Sequence, residues 1–351
     1  MRNNQDKKRY QSVMNSCTVN HGNLVLIYDI FIHFDDYVIG IGPDLPSIDN
    51  RLLTAYQDEK IHVPDIIKDP HKHTNVFKFN VDFNRPFEIV YSNEIVCSLK
   101  LERPQYIAKN LVACTMFKNC SEFLEQWIVY HHNIGVEHFY LYDNDSVDYD
   151  KVAEICERYS DITTLIKWPF PYRTKRASLS GQTTSQNTTI YKYSRHKWIL
   201  FTDLDEYIHS KKSSLLKILL NYENRRKDIS ALVMPCMWYG CSYKVEYNST
   251  NFLQKLVYRK KDACGTRPGS GPKSIVVPQN VKIYSIHRPI SGLKEVSLDS
   301  EQLRFNHYFC LTNDGKRYTA TTTAARIKNK NRCNCDIFDE VFDDSLATAT
   351  C

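Results

Sequence analysis

The chain has 351 residues, 42% hydrophobic and 25% charged, and its 46 basic and 40 acidic side chains leave a formal net charge of +6. That composition excludes a wholly disordered chain, and the modest, evenly mixed charge offers no dedicated nucleic-acid surface, so no nucleic-acid partner is expected. No stretch approaches the ~20 apolar residues of a membrane-spanning helix, and the polar start Met1-Arg2-Asn3-Asn4-Gln5-Asp6-Lys7-Lys8 has no apolar signal core; a cytoplasmic chain without a transmembrane anchor is the expectation.

Residues 1–16 read as a frayed polar start. From 17 to 104 the signal is β: Leu24 to Phe34 is rich in branched and aromatic residues, and Phe77, Phe79, Val81 and Phe83 alternate with polar positions. A small antiparallel β domain is expected there, with Pro43, Pro46, Pro64 and Pro70 in loops and Pro104 at a hinge. After Pro104 the period changes. Leu111 to Met116 reads as a buried strand, and Ser121 as the cap of a helix whose apolar face includes Phe123, Trp127, Ile128 and Ile134 and which Gly135 stops. Strands at 136–142, 162–168 and 198–202 then alternate with helices at 149–159 and 180–194. Such alternation predicts an α/β fold with a mostly parallel sheet flanked by helices on both faces. A helix near Leu215 to Tyr222, a strand at Ala231 to Met234 and a more irregular region follow, so that one larger domain spans 105–330. Residues 331–351, with Asp336, Asp339, Glu340, Asp343 and Asp344, read as a solvated acidic tail. Twelve cysteines are scattered without Cys-x-x-Cys pairs, which favours reduced thiols over zinc or a disulfide framework. Asn119, Asn144, Asn187 and Asn248 open glycosylation-type triplets that carry no weight without a signal segment.

The run Trp198-Ile199-Leu200-Phe201-Thr202-Asp203-Leu204-Asp205-Glu206-Tyr207 ends an apolar strand in three carboxylates. On an extended backbone Asp203 and Asp205 project to one side. At ~4 Å their repulsion is about 1 kcal/mol in water and about 4 kcal/mol near a protein surface, so a divalent cation between them is the natural remedy. Mg²⁺ or Mn²⁺ held by oxygen keeps positions open for phosphates, which points to a phosphate-bearing donor beyond a strand end. A second acidic segment, Tyr142-Asp143-Asn144-Asp145-Ser146-Val147-Asp148, should lie beside Cys114, Thr115 and Met116, either as a nucleoside grip or as an Asx-rich turn and helix cap. Lys273, in Gly269-Ser270-Gly271-Pro272-Lys273-Ser274, fails the phosphate-loop pattern, because the glycine spacing is short and Pro272 removes a backbone donor. With Arg267 it is still placed to neutralise a leaving diphosphate.

Taken together, four segments resemble glycosyltransferase family 92 and the wider GT-A glycosyltransferases. They are Leu111 to Asn119, Glu122 to His131, Gly135 to Asn144, and Ser185-Gln186-Asn187 through Tyr207, with later blocks at Trp238-Tyr239-Gly240, Lys273 to Pro278, His287 and Asn306-His307-Tyr308. The resemblance covers about Leu111 to Tyr318, and the order and spacing of the blocks make it specific. It implies a Rossmann-like GT-A fold and a hexosyltransferase that moves a sugar, galactose in characterised relatives, from a UDP-linked donor to a glycan or glycoprotein hydroxyl. It also implies Mn²⁺ (or Mg²⁺) dependence through an Asp-x-Asp motif and, where relatives are anchored, a Golgi-type location that this chain would share only as part of a longer one.

Carried onto this sequence, the resemblance puts Asp203 and Asp205 on metal and donor phosphates, and Thr115, Asp143 and Asp145 near the nucleoside. Glu206 would tether a ribose or orient Asp205, and His307 would be a late metal or phosphate contact with His287 as its competitor. Inverting transfer needs a base for the acceptor hydroxyl, for which Asp262 and Glu246 lie in the right region. Trp238 and Tyr239 suit an acceptor-sugar platform or an ordinary core. Two other classes compete: a catalytically silent carbohydrate-binding relative, against which the intact Asp203 and Asp205 argue, and a phosphohydrolase, against which Tyr207 argues by standing where a threonine is usual.

Overall fold

The computed structural model describes residues 13–14, 18–174, 180–211, 213–240, 242, 245–266, 271–308, 311 and 339–348. Most of the polar start, Arg267, Gly269, Ser270 and Asp336 lie outside them.

Residues 19–99 form antiparallel sheets. One runs in the order Glu94–Leu99, Phe87–Tyr91, Leu53–Gln57, Lys60–His62; another in the order Asp29–Ile32, Val38–Pro43, Thr74–Phe79, Asp65–Lys68. Alternation along these strands sends Ile30, Phe77, Phe79, Phe87 and Ile89 into a core of their own.

The larger unit begins with β1 (Leu111–Phe117), α1 (Ser121–Asn133), β2 (His138–Asp143), α2 (Tyr149–Arg158), β3 (Thr163–Lys167), α3 (Ser180–Lys192) and β4 (Trp198–Phe201). Its remaining strands and helices are β5 (Glu206–His209), α4 (Leu215–Tyr222), β6 (Ile229–Met234), β7 (Cys236–Tyr239), α5 (Phe252–Lys255), β8 (Tyr258–Arg259), β9 (Lys273–Val276), β10 (Val281–Ser285), β11 (Arg288–Gly292), β12 (Lys294–Ser297), β13 (Arg304–Tyr308) and β14 (Val341–Phe342), with short 3-10 turns between some of them. The main sheet has the order Val13–Met14, β3, β2, β1, β4, β9, β6, β12. It is parallel from its edge to β4, where helices make the crossovers, but β9 runs antiparallel to both β4 and β6. The expected mostly parallel sheet is therefore a mixed one. Beyond β4 the chain no longer returns through a helix on each pass, so nothing enforces parallel pairing.

Helices cover both faces. Phe123, Leu124, Trp127 and Ile128 of α1 and Val152 and Ile155 of α2 pack with Ala113, Leu141 and Leu200 on one face, while Ile190 and Tyr193 pack with Cys114, Tyr142 and Phe201 on the other. Gly135 ends the first helical excursion at φ +109, a conformation that strains any side chain. Ser121 is not the cap of α1: its N–H donates to the Asp148 carboxylate at 3.0 Å, so the cap comes from the loop before α2.

α3 has almost no apolar face, yet it is buried from Ser180 to Ile190. It lies between the main sheet and the β unit, tied to the latter by Ser180 to the His73 carbonyl (2.8 Å) and by the buried Lys192–Asp29 pair (2.7 Å). Thr184, Ser185 and Thr189 bond back to the carbonyls of Ser180, Gln182 and Ser185, while Thr183 Oγ1, Thr188 Oγ1 and Gln186 Oε1 are buried without a hydrogen-bond partner.

The acidic segment at 339–348 is not a solvated tail. β14 pairs with β8, Asp343 accepts from Arg259 (2.5 Å) and Arg304 (2.8 Å), and Asp339 accepts from the Ser242 N–H. The two guanidiniums outweigh the burial of Asp343 and hold its carboxyl well below the usual range, which makes it an anchor. Among the described residues no helix is long and apolar enough to cross a membrane.

Candidate active site

β4 stops at Phe201, and the chain turns sharply, with the Glu206 N–H donating to the Asp203 carbonyl (3.1 Å), before β5 enters a second sheet of order β5, β13, β7, β8, β14. Asp203 and Asp205 thus sit in a turn rather than on an extended strand, and period-two alternation does not govern them. Asp203 is held by two donors: Gln182 Nε2 on α3 bonds its Oδ1 (2.8 Å), and Lys273 Nζ on β9 bonds its Oδ2 (2.7 Å). Tyr172 donates its hydroxyl to Gln182 Oε1 at 3.2 Å. Asp205 turns to His307, with Oδ2 at 3.3 Å from Nε2. Glu206 faces inward, its Oε2 accepting from the Asp203 N–H (2.8 Å) and lying 3.1 Å from Lys273 Nζ, its Oε1 3.7 Å from His307 Nδ1.

Register explains the meeting of distant residues. In the second sheet Glu206 pairs with His307, and His307 with Trp238, so that three side chains stand in a row on one face. Donor atoms of Asp205, Glu206 and His307 lie within 4.8 Å of one another. Two carboxylates and an imidazole suit Mn²⁺, and the oxygen donors suit Mg²⁺ as well.

The electrostatics favour added positive charge. Burial, reinforced by Asp203 and Asp205 against the opposing pull of Lys273, pushes Glu206 up to about 7. Burial alone would lower Lys273 and His307; Asp203 and Glu206 raise the lysine, and Asp205 raises the histidine. Asp205 is correspondingly lowered, the attraction of His307 outweighing its burial. Lys273 is 2% exposed, whereas the Asp205 and His307 side chains keep 27% and 20% of their surface open, which leaves the cluster reachable from outside.

The other sequence candidates fall elsewhere. Thr115 and Asp143 are buried near the ends of β1 and β2, in step with the residues that face α1 and α2. Asp143 Oδ2 accepts from the Ser146 N–H, while its Oδ1 and Thr115 Oγ1 have no hydrogen-bond partner. Asp145 is exposed at φ +60 on the same turn. His287 is partly buried between β10 and β11 with Nδ1 unpartnered; burial first and Lys273 second pull it down to about 4, and it stays outside the donor trio. Asp262 and Glu246 are exposed, and neither is among the main charges acting on Asp205, Glu206 and His307. Tyr239 is a core residue, whereas Trp238 is partly open, with Lys260 Nζ 5.5 Å from its ring centre. Gln182 and Tyr172 went unread in the sequence; the available signal was a helix too polar to have an ordinary apolar face.

The family model for glycosyltransferase family 92 matches residues 109–336. A family 92 protein of Oryza sativa subsp. japonica is 25% identical over 206 residues, 57% of this chain and 33% of the relative. One of Ricinus communis is 28% identical over 254 residues, 71% of this chain and 40% of the relative. The chain thus spans 40% or less of the length of these curated relatives. Among solved structures, S. aureus TarS 1-349 in complex with UDP aligns with 61% of this chain and 63% of its own at 11% identity; its TM-score of 0.31 is too low to carry an argument.

Proposed function

The chain belongs to glycosyltransferase family 92, and from that premise we propose that it is a GT-A-type hexosyltransferase using a nucleotide sugar, UDP-linked and galactose in the first instance. The observation that carries this is the meeting of Asp203, Asp205, Glu206, Lys273 and His307 beyond the end of a parallel strand, inside the matched region. Asp205, Glu206 and His307 are the residues that would hold Mn²⁺ (or Mg²⁺), and the ion would supply charge stabilisation for the departing diphosphate. Lys273 supplies a fixed positive charge at the same place, and Gln182 keeps Asp203 oriented toward it. Glu206 is 2% exposed and would meet the ion from its buried side. The nucleoside is proposed to lie over the ends of β1 and β2, where Asp145 is the exposed carboxylate and Thr115 and Asp143 shape the turn. Trp238, beside His307, offers an aromatic face to the acceptor, a glycan or glycoprotein hydroxyl. Asp262 is proposed to take the acceptor proton, with inversion as the outcome.

The test is nucleotide release from a panel of nucleotide sugars, with acceptor glycans, in Mn²⁺ and in chelator. Metal-dependent release confined to one donor supports the reading and names the sugar. The contacts of Lys273 with Asp203 and Glu206 favour a second reading, in which the lysine is the only cation required. Full turnover in chelator selects it, and no turnover with any donor favours a carbohydrate-binding relative.

A further inference from the structure

β7 begins with Cys236, two positions before Trp238, and residues two apart on a strand share a face. Cys236 therefore lies on the face that carries Trp238 and His307, buried at 1% exposure, whereas Cys264 is only partly buried. The chain leaving β8 runs back along β7: the Lys260 N–H donates to the Trp238 carbonyl and the Cys264 N–H to the Cys236 carbonyl, both at 2.8 Å. The second bond makes the two cysteines backbone neighbours across adjacent chain segments. Where backbones pair in this way, facing Cα atoms lie about 4.5–5.5 Å apart, inside the ~4.4–6.8 Å that a disulfide spans. Residues paired across neighbouring backbones project their side chains to one side, which turns the two thiols toward each other.

We propose that Cys236 and Cys264 form a redox-active dithiol that closes reversibly to a disulfide on reaction with a small disulfide such as oxidised glutathione. Cys264 is the attacking group because it is the accessible one. Its thiol is pulled down to about 7, first by the hydrogen bond with Cys236 and then by Lys260 and His307, while burial pushes Cys236 well up. The Cys264 thiolate attacks one sulfur of glutathione disulfide, the S–S bond breaks, and one glutathione leaves as a thiolate that takes up a proton. Cys236 then gives its proton to solvent and attacks the Cys264 sulfur of the mixed disulfide, expelling the second glutathione. Two cysteine thiols are oxidised and one glutathione disulfide is reduced to two thiols. The closed form staples the segment carrying Lys260 and Asp262 to the strand beside the one that holds His307. This chemistry holds whether or not sugar transfer occurs.

The experiment is treatment of the purified full chain with glutathione disulfide, acid quenching, alkylation and non-reducing peptide mapping, with dithiothreitol as the reversal step. Wild type should yield a Cys236–Cys264 cross-linked peptide that dithiothreitol removes. Cys236→Ala should stop at a glutathione adduct on Cys264, and Cys264→Ser should leave Cys236 unmodified. In the reduced protein, alkylation of Cys264 should outpace that of Cys114 and Cys156, both buried and pushed up to about 12, by more than about tenfold. A persistent mixed disulfide on wild-type Cys264, a cross-link joining either residue to a different cysteine, or two thiols that stay alkylatable at every oxidant concentration would each overturn the proposal.

Discussion

Two acidic turns close neighbouring parts of one sheet, Asp143 to Asp148 after β2 and Asp203 to Glu206 after β4. In the first, the backbone takes up the acids: the Ser146 N–H bonds Asp143, the Ser121 N–H bonds Asp148, and Asn144 reaches the carbonyls of Trp168 and Phe170. In the second, the acids meet charged side chains. Lys273 contacts two of them, His307 faces two of them, and Glu206 is driven up to about 7 by its burial, with Asp203 and Asp205 adding to that push against Lys273 and His307. Composition does not separate the two turns. What separates them is whether a carboxylate is tied by an N–H of the fold, as Asp143 and Asp148 each are through one oxygen, or stands in a crowd of like charges, which leaves room for a ligand cation.

The contrast breaks most sharply at Asp205. Asp205→Ala should lower turnover of the donor by about 10³-fold, some 4 kcal/mol of transition-state stabilisation. It should cost no more than about 1 kcal/mol of folding stability, because its pair with His307 is partly open to solvent. Turnover within a few-fold of wild type would show that this turn is as structural as the other.

The next largest effect is a pH dependence. With its folded-state pKa raised from the ordinary 4.5 to about 7, Glu206 keeps a proton in the native state that the unfolded chain has already released. That stabilisation is complete below about pH 4.5 and is lost as the pH rises through 7. In Glu206→Gln the decline should flatten by at most about 3 kcal/mol, measured by urea unfolding in chelator at pH 4.5 and 7.5. An unchanged slope would mean that Glu206 is not crowded.

The contrast also marks where the sequence was legible. The period change after Pro104 and the cues around Gly135 place the strands and helices from 111 to 234, β5 excepted, within a few residues of those observed, because burial on a sheet enforces those periods. The family resemblance read over Leu111 to Tyr318 meets a match over 109–336. Less was legible where partners come from far along the chain. Asp148 capping α1, Asp343 between Arg259 and Arg304, and Lys273 between Asp203 and Glu206 are contacts across 27, 84 and 70 positions, and no local period encodes them. The pairing of Asp203 with Asp205 was drawn from an extended backbone that in fact turns at Leu204 and Asp205. Gln182 was hidden because a polar helix reads as exposed until something packs on both of its sides.

Gln182 tests whether the second turn is oriented from outside itself. Replacing it with Leu removes the donor to Asp203 Oδ1 and the acceptor of the Tyr172 hydroxyl. Donor kcat/KM should fall by about tenfold, the lower end of what partners that orient metal-site ligands contribute, and Tyr172→Phe should move it the same way by less. Equal values in wild type and Gln182→Leu would make this chain of bonds incidental.

The smallest effect belongs to the first turn and bears on stability alone. Asp148→Ala takes away the acceptor for the Ser121 N–H at the first turn of α1, a helix whose Trp127 and Ile128 are fully buried against the sheet. Loss of a capping carboxylate costs about 1 kcal/mol, here undiluted by any cap on Ser121 itself. For a unit of this size that lowers the melting temperature by about 2–4 °C. Asp148→Asn, which keeps an acceptor oxygen, should recover most of it, and neither variant should change turnover by more than about twofold. A large loss of turnover in Asp148→Asn at unchanged melting temperature would place this turn in the chemistry, because the amide keeps the cap and removes only the charge.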